Sequence, residues 1–291
     1  MAKVGGFRNE AERRAYLDAY EAMARQWPVE STEMDVSTAY GPTHVRKSGG
    51  GPGAPVVMLH PMGGNGACWL PVIEGLAADR VVYTPDTIGT PGLSVQTAPL
   101  TEAADFGKWV DQLLEGLGVE RAHLLGYSDG GWQASVAGVS SSRLASLTLV
   151  ESAVSFGKVS MGVLWRIMRV GIRPTEKNMR KFGEWATPNR PPTEDERRTA
   201  LAAVPYKRVL PWPRPLTDEE LGAIRVPMLA VFGADTVLGD PVKCRDRALE
   251  LVPRAEVEIY PGTGHEVFFH RADLVVPRIC RFLRANEPVP V

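Results

Sequence analysis

Three side chains, Ser128, Asp235 and His265, occur in an order and in settings that suit nucleophilic attack on a carbonyl. Ser128 is the centre of Gly126-Tyr127-Ser128-Asp129-Gly130, a G-x-S-x-G pentapeptide. The apolar residues before it, 121–125, read as a buried strand, and residues 131–137 read as the start of a helix. A serine at such a strand-to-helix turn is a nucleophile elbow, in which the turn lifts the hydroxyl clear of the backbone. Glycines are needed at both flanks, because a Cβ there would run into the neighbouring strand or helix. A second apolar strand, Val226 to Gly233, leads into Gly233-Ala234-Asp235-Thr236, and a third, Ala255 to Tyr260, leads into Thr263-Gly264-His265-Glu266. Each candidate thus lies just past the carboxyl end of a strand, where crevices of open α/β sheets form. Ser128 is expected to attack, His265 to take and return the proton, and Asp235 to fix the imidazole tautomer. Taken singly, Asp235 is as easily a turn aspartate and His265 a loop histidine. Their joint order of serine, acid, histidine on one sheet edge is what gives them weight.

The elements that must position these residues are legible from apolar patterning. Residues 8–27 carry apolar and aromatic side chains among charges and end at Pro28, which suits an amphipathic helix packed across the sheet or over a pocket. Residues 33–47 alternate as two strands meeting at Tyr40-Gly41-Pro42. The nearly unbroken apolar run Pro55 to His60 fits a central parallel strand. Helix signals over 70–78, 101–117 and 130–140 alternate with strand signals over 80–84, 121–127 and 144–150. Such alternation predicts a mostly parallel twisted sheet with helices on both faces. It fails between 154 and 222, a stretch rich in Met, Trp and Pro and too long for an ordinary connection. The expected organisation is an N-terminal helix (1–30), an α/β core (31–153 and 223–291) and an inserted helical cap (154–222). The cap's Met and aromatic side chains form either a small core of their own or the walls of an apolar pocket.

Four motifs together, Leu59-His60-Pro61-Met62-Gly63-Gly64, Pro85-Asp86-Thr87-Ile88-Gly89, the serine elbow and the Asp235 and His265 segments, give the chain a family likeness. It resembles the α/β-hydrolase superfamily, and within it the capped serine esterases of the carboxylesterase type. The likeness covers about residues 40–153 and 223–285 and implies the α/β-hydrolase fold. It further implies an oxyanion hole built from two backbone N–H groups, those of Asp129 and Met62. The family commonly has His-Gly-x after this strand, with x donating. Here Pro61 replaces the glycine and stiffens the loop, while the donor falls on Met62. Some members carry the acid after the next strand, which makes Glu151 the rival to Asp235. The favoured acid is Asp235, because Gly233-Ala234-Asp235 matches the commoner pattern. Asp129's carboxylate is read as a helix N-terminal charge, and His60 and Asp86 as structural.

The implied activity is hydrolysis of a carboxylic ester, lactone or thioester through an acyl-enzyme. A carbon–carbon bond hydrolase on the same triad, or a ligand-binding protein that keeps the fold without catalysis, are the alternatives. No metal or organic cofactor is implied. The expected partner is a small-molecule substrate with an apolar part. A formal net charge of -1 over 291 residues predicts no attraction to nucleic acid or to an anionic membrane. Three cysteines, Cys68, Cys244 and Cys280, stand in no metal-ligand spacing and read as reduced packing thiols. The N-terminal residues lack an apolar signal core and no run is long enough to span a bilayer, which makes the cytoplasm the expected compartment.

Overall fold

The computed structural model describes residues 3–288. Helix α1 (Glu10–Ala24) precedes a hairpin of β1 (Ser31–Thr38) and β2 (Gly41–Gly49). Then come β3 (Gly53–Leu59), a 3-10 turn (Gly66–Trp69), α2 (Ile73–Leu76), β4 (Arg80–Pro85) and α3 (Ala104–Gly116). β5 (Ala122–Tyr127), α4 (Asp129–Ser140) and β6 (Leu144–Val150) follow. Beyond β6 the chain leaves the sheet for five helices, α5 (Ala153–Phe156), α6 (Met161–Ile172), α7 (Glu176–Ala186), α8 (Glu194–Ala203) and α9 (Asp218–Ala223). β7 (Met228–Gly233), α10 (Pro241–Leu251), β8 (Ala255–Tyr260), α11 (Val267–His270) and α12 (Ala272–Ala285) complete the described residues.

These strands make one eight-stranded sheet in the order β1-β2-β4-β3-β5-β6-β7-β8. β1 and β2 pair antiparallel, β2 meets β4 antiparallel, and every other pairing is parallel. Successive residues of one strand enter different cores. Val57 and Leu59 of β3, with Met228, Ala230 and Phe232 of β7, pack with α3, α4 and α10. Val56, Met58, Leu229 and Val231 pack with α2 and α12 on the other face. Both faces are covered, which is why these strands read as continuous apolar runs rather than alternating ones. Each of these Val, Leu, Met and Phe side chains contributes roughly 1.5–3 kcal/mol of burial.

Two helices differ from the sequence reading. The helix expected over 70–78 is only the four residues of α2, entered through the 3-10 turn that Asn65 caps. Gly75 in its middle lowers its helical tendency. α3 starts at Ala104 rather than Thr101, because the Asp105 carboxylate folds back to accept the N–H groups of Thr101 and Glu102 at 3.0 and 3.1 Å.

α1 lies against α8 of the inserted segment rather than across the sheet. Thr199 Oγ1 donates to the Ala19 carbonyl, and Gln26 Nε2 donates to Asp195 Oδ2 at 2.6 Å. Gly6 and Lys207 exchange two backbone bonds, of 3.1 and 2.8 Å. On the same buried face of α1, Tyr16 Oη accepts from Asn65 Nδ2 at 3.0 Å. The N-terminal region therefore joins the insertion to the loop after β3.

Candidate active site

Ser128 sits between β5 and α4 with φ 55° and ψ −115°. A residue with a Cβ adopts this backbone only under constraint. Packing supplies the constraint. An added Cβ on Gly126 would lie 2.2 Å from the Gly130 carbonyl oxygen, and one on Gly130 would lie 2.1 Å from the Leu59 carbonyl oxygen. Strand, helix and the end of β3 approach so closely that only glycine fits at either flank. α4 is buried without interruption from Asp129 to Gly138, which fixes the serine from behind.

Among the described residues, Ser128 shares a positive φ with one other non-glycine residue, Glu151, at 52°. Glu151 follows β6, with its side chain fully buried. Oε1 accepts the Gly233 N–H at 2.6 Å, and Oε2 accepts the Thr236 hydroxyl at 2.7 Å. The same Oε2 lies 3.0 Å from His265 Nδ1. The carboxylate that meets the histidine is thus that of Glu151, not that of Asp235 as the sequence suggested. Asp235 lies one residue before Thr236 on an exposed turn, where its backbone N–H donates to the Thr263 carbonyl at 3.0 Å. The turn after β7 does serve the histidine, but by orienting a glutamate that reaches across from β6. A longer side chain is needed for that reach, and the end of β7 supplies two donors to hold it.

His265 is buried between β8 and α11. Its ring stacks on Tyr127, with centroids 5.2 Å apart and planes at 26°. Tyr127 Oη also donates to the His265 carbonyl at 2.6 Å. Since Tyr127 immediately precedes Ser128, these contacts hold His265 beside the elbow. With Nδ1 committed to Glu151, Nε2 is the nitrogen left for proton transfer.

The loop after β3 is organised around one carbonyl. Pro61 O lies 2.9 Å from His60 Nδ1 and accepts the Gly64 N–H at 2.9 Å. His60 Nε2 accepts the Thr87 N–H at 3.0 Å, so the ring proton sits on Nδ1 and is donated to Pro61 O. Burial pushes the His60 pKa down and keeps the ring neutral, as this tautomer requires. In a trans peptide the C=O and the following N–H point in opposite directions. Gripping Pro61 O therefore also sets the direction of the Met62 N–H. The other expected donor, Asp129, opens α4, where a backbone N–H has no partner within the helix. Asp86 is a tie between loops, accepting the Gly66 N–H at 2.6 Å and the Leu93 N–H at 2.7 Å.

A match to the Alpha/beta hydrolase family spans residues 56–278, from β3 to α12. The chain belongs to this family. Among its relatives, carboxylesterase YbfK of Bacillus subtilis is 28% identical over 280 residues, covering 92% of this chain and 93% of its own. The crystal structure of carboxylesterase CesB (YbfK) from Bacillus subtilis matches with a TM-score of 0.88 at 26% identity, over 94% of this chain and 99% of that one. Naproxen esterase (carboxylesterase NP) from the same organism matches with a TM-score of 0.86 at 25% identity, with the same coverage. This α/β-hydrolase chain is an enzyme of the hydrolase class, similar to carboxylesterases along nearly its full length.

Around this α/β-hydrolase site the inserted segment touches both ends of the constellation. Arg208 Nη2 lies 3.2 Å from Oδ2 of Asp129, the residue after Ser128, and Gln133 Nε2 donates to the same oxygen at 3.0 Å. Asn189 Nδ2 donates at 2.7 Å to Oε1 of Glu266, the residue after the histidine. Asp129's carboxylate is thus held by an arginine as well as by the helix terminus. Sequence reading did not anticipate Thr236, Tyr127, Arg208 or Asn189. Glu151 stood only as the rival to Asp235, although a carboxylate directly following seven buried strand residues must find partners. Burial pushes the Cys68 and Cys280 thiols up and Cys244 to about 12, so none is a ready nucleophile.

Proposed function

We propose that the chain hydrolyses carboxylic esters, including lactone or thioester relatives, through an acyl-enzyme on Ser128. His265 is the general base and Glu151 the acid of the triad. The observation that carries this reading is the buried Glu151–His265 contact of 3.0 Å, held beside a serine in a constrained turn. Its similarity to carboxylesterases supports an ester as the bond attacked.

His265 Nε2 takes the Ser128 hydroxyl proton as Oγ bonds to the substrate carbonyl carbon. Glu151 stabilises the resulting imidazolium through Nδ1–H without itself taking the proton. The carbonyl oxygen becomes an oxyanion between the Met62 and Asp129 N–H groups, an arrangement worth about 3 kcal/mol per donor. Collapse breaks the carbon–oxygen bond to the alcohol, which leaves with the proton from Nε2. Water, deprotonated by the same nitrogen, then attacks the acyl carbon. It releases the acid, and Ser128 recovers its proton. The inserted segment is the cap over this site, tied down through Arg208 and Asn189.

The test is Ser128→Ala on a short activated ester, with labelling by a fluorophosphonate. Turnover should fall by roughly six orders of magnitude and labelling should vanish, with the fold intact by circular dichroism. Retained labelling or near wild-type turnover would remove Ser128 from the chemistry.

A further inference from the structure

The inserted segment carries an apolar surface that the described residues leave uncovered. On α6 the residues Met161, Leu164, Trp165, Met168 and Ile172 follow i, i+3, i+4, i+7 and i+11 spacing, which makes one stripe along the helix. All five are exposed, Met161 by 78%, Ile172 by 70% and Trp165 by 63%. The buried residue of α6 is Val163, on the opposite side. Arg166, Arg169 and Arg173 fall along one flank of the stripe, the side toward α7. There a groove of about 200 Å³ opens between the two helices, with Arg166, Arg169 and Lys181 around Phe182 and Trp185.

Charge says what this surface fits. From 158 to 186 there are seven Lys or Arg residues, all exposed, against two Glu. The whole chain carries −1, so the rest of the molecule is net acidic and this hairpin holds a positive excess of five. A second copy of the same face would set like charge against like, which disfavours symmetric self-association. A nucleic acid would satisfy the cations but leave a row of Met, Leu and Ile without a partner. A bilayer with anionic headgroups satisfies both. Apolar side chains enter the interface, and flanking arginines stretch to the phosphates. Tryptophan at the boundary suits the same depth.

We propose that the α6–α7 hairpin docks on an anionic lipid bilayer surface, with the α6 stripe in the interface and its flanking cations on headgroup phosphates. The docking is peripheral, since among the described residues no helix is long and apolar enough to cross a membrane. It stands on the exposed hairpin and not on the ester-hydrolase reading.

Flotation of the purified protein with vesicles tests it, comparing phosphatidylcholine alone with phosphatidylcholine containing one-third phosphatidylglycerol. The protein should float with the anionic vesicles, stay behind with the neutral ones, and be released by high salt as screening shortens. Trp165→Asp with Met168→Asp should weaken partitioning at least about tenfold, and Arg173→Glu with Lys177→Glu should do so comparably. Wild-type circular dichroism and unchanged hydrolysis of a water-soluble short ester would show that these variants are folded. Ser128→Ala should float like the wild type, which separates docking from chemistry. Failure to float with anionic vesicles, or equal flotation with neutral ones, overturns the proposal. A dimer in sedimentation that Trp165→Asp converts to monomer also overturns it, because the stripe would then be a self-association face.

Discussion

The carboxyl edge of the sheet and the inserted segment are built on opposite terms. At the sheet edge, α4 is buried along ten consecutive residues, and the backbone holds two side-chain-bearing residues at positive φ. In the insertion, α6 buries one residue of its twelve. It meets the site through polar contacts, Arg208 with Asp129 and Asn189 with Glu266. Strain of order 1–3 kcal/mol per residue persists only where the surroundings over-determine the backbone. Chemistry that needs fixed geometry therefore belongs on the strand ends. The insertion, with a small core and replaceable contacts, is free to differ in what it covers and touches.

The largest expected effect breaks or confirms the assignment at the rigid edge. Glu151→Gln preserves shape and can still accept the Gly233 N–H, but it removes the charge opposite His265 Nδ1. Turnover should fall by roughly 10³- to 10⁴-fold, in line with loss of a triad carboxylate. Asp235→Asn should leave kcat within about threefold, since an exposed turn carboxylate contributes little. Steady-state kinetics on a short ester reads both. The reverse ranking would return the acid to the turn after β7, and equal losses would mean that the two share it.

This pair also marks how far the sequence could be read. The parallel core, the elbow and the histidine were legible because each rests on a local pattern, an apolar run or glycines at fixed offsets. The carboxylate that pairs with His265 was legible only as the rival, Glu151, because its identity is a matter of which side chain crosses between strands. Gly233-Ala234-Asp235-Thr236 looks like a loop that supplies a carboxylate, yet what it gives is the Gly233 N–H and the Thr236 hydroxyl. The outward stripe of α6 was hidden for a related reason. An amphipathic pattern reports that one face is apolar and not which way that face is turned. A net charge of −1 likewise averages away the positive excess beside it.

A single kind of substitution separates the regions next. Gly130→Ala drives a methyl to 2.1 Å from backbone at the end of β3, with no flexible neighbour to yield. It should cost several kcal/mol or prevent folding, as overpacking against backbone does. Gly171→Ala lies in α6, where an added Cβ meets nothing within 4 Å. It should be neutral or stabilise that helix by about 0.5–1 kcal/mol. Urea unfolding compares the two, and amide exchange along α6 resolves the smaller change. Loss of stability from Gly171→Ala would mean that α6 is packed more tightly than its exposure implies.

The smallest expected effect lies at the junction of the two regions. Asp129's side chain is 4% exposed and that of Arg208 is 18%, so their contact is largely shielded from solvent. Arg208→Ala leaves a buried carboxylate, but one that still accepts from Gln133 and faces a helix N-terminus. The loss should therefore fall below the 3–5 kcal/mol of a fully abandoned buried charge, at about 2 kcal/mol. Loosening the insertion here should raise KM for a bulky ester several-fold. Because the direction of the Asp129 N–H is set by the turn into α4 and not by the arginine, kcat on a small activated ester should stay within about threefold. Arg208→Lys should recover most of the stability, since a single guanidinium nitrogen, Nη2, meets both carboxylate oxygens, at 3.2 and 3.5 Å, and a point charge can take its place. If instead kcat on the small ester collapses while stability is unchanged, Arg208 acts on the reacting atoms. If neither stability nor KM moves, the insertion is held by its other contacts, and the division between a fixed edge and a tethered cap must be redrawn.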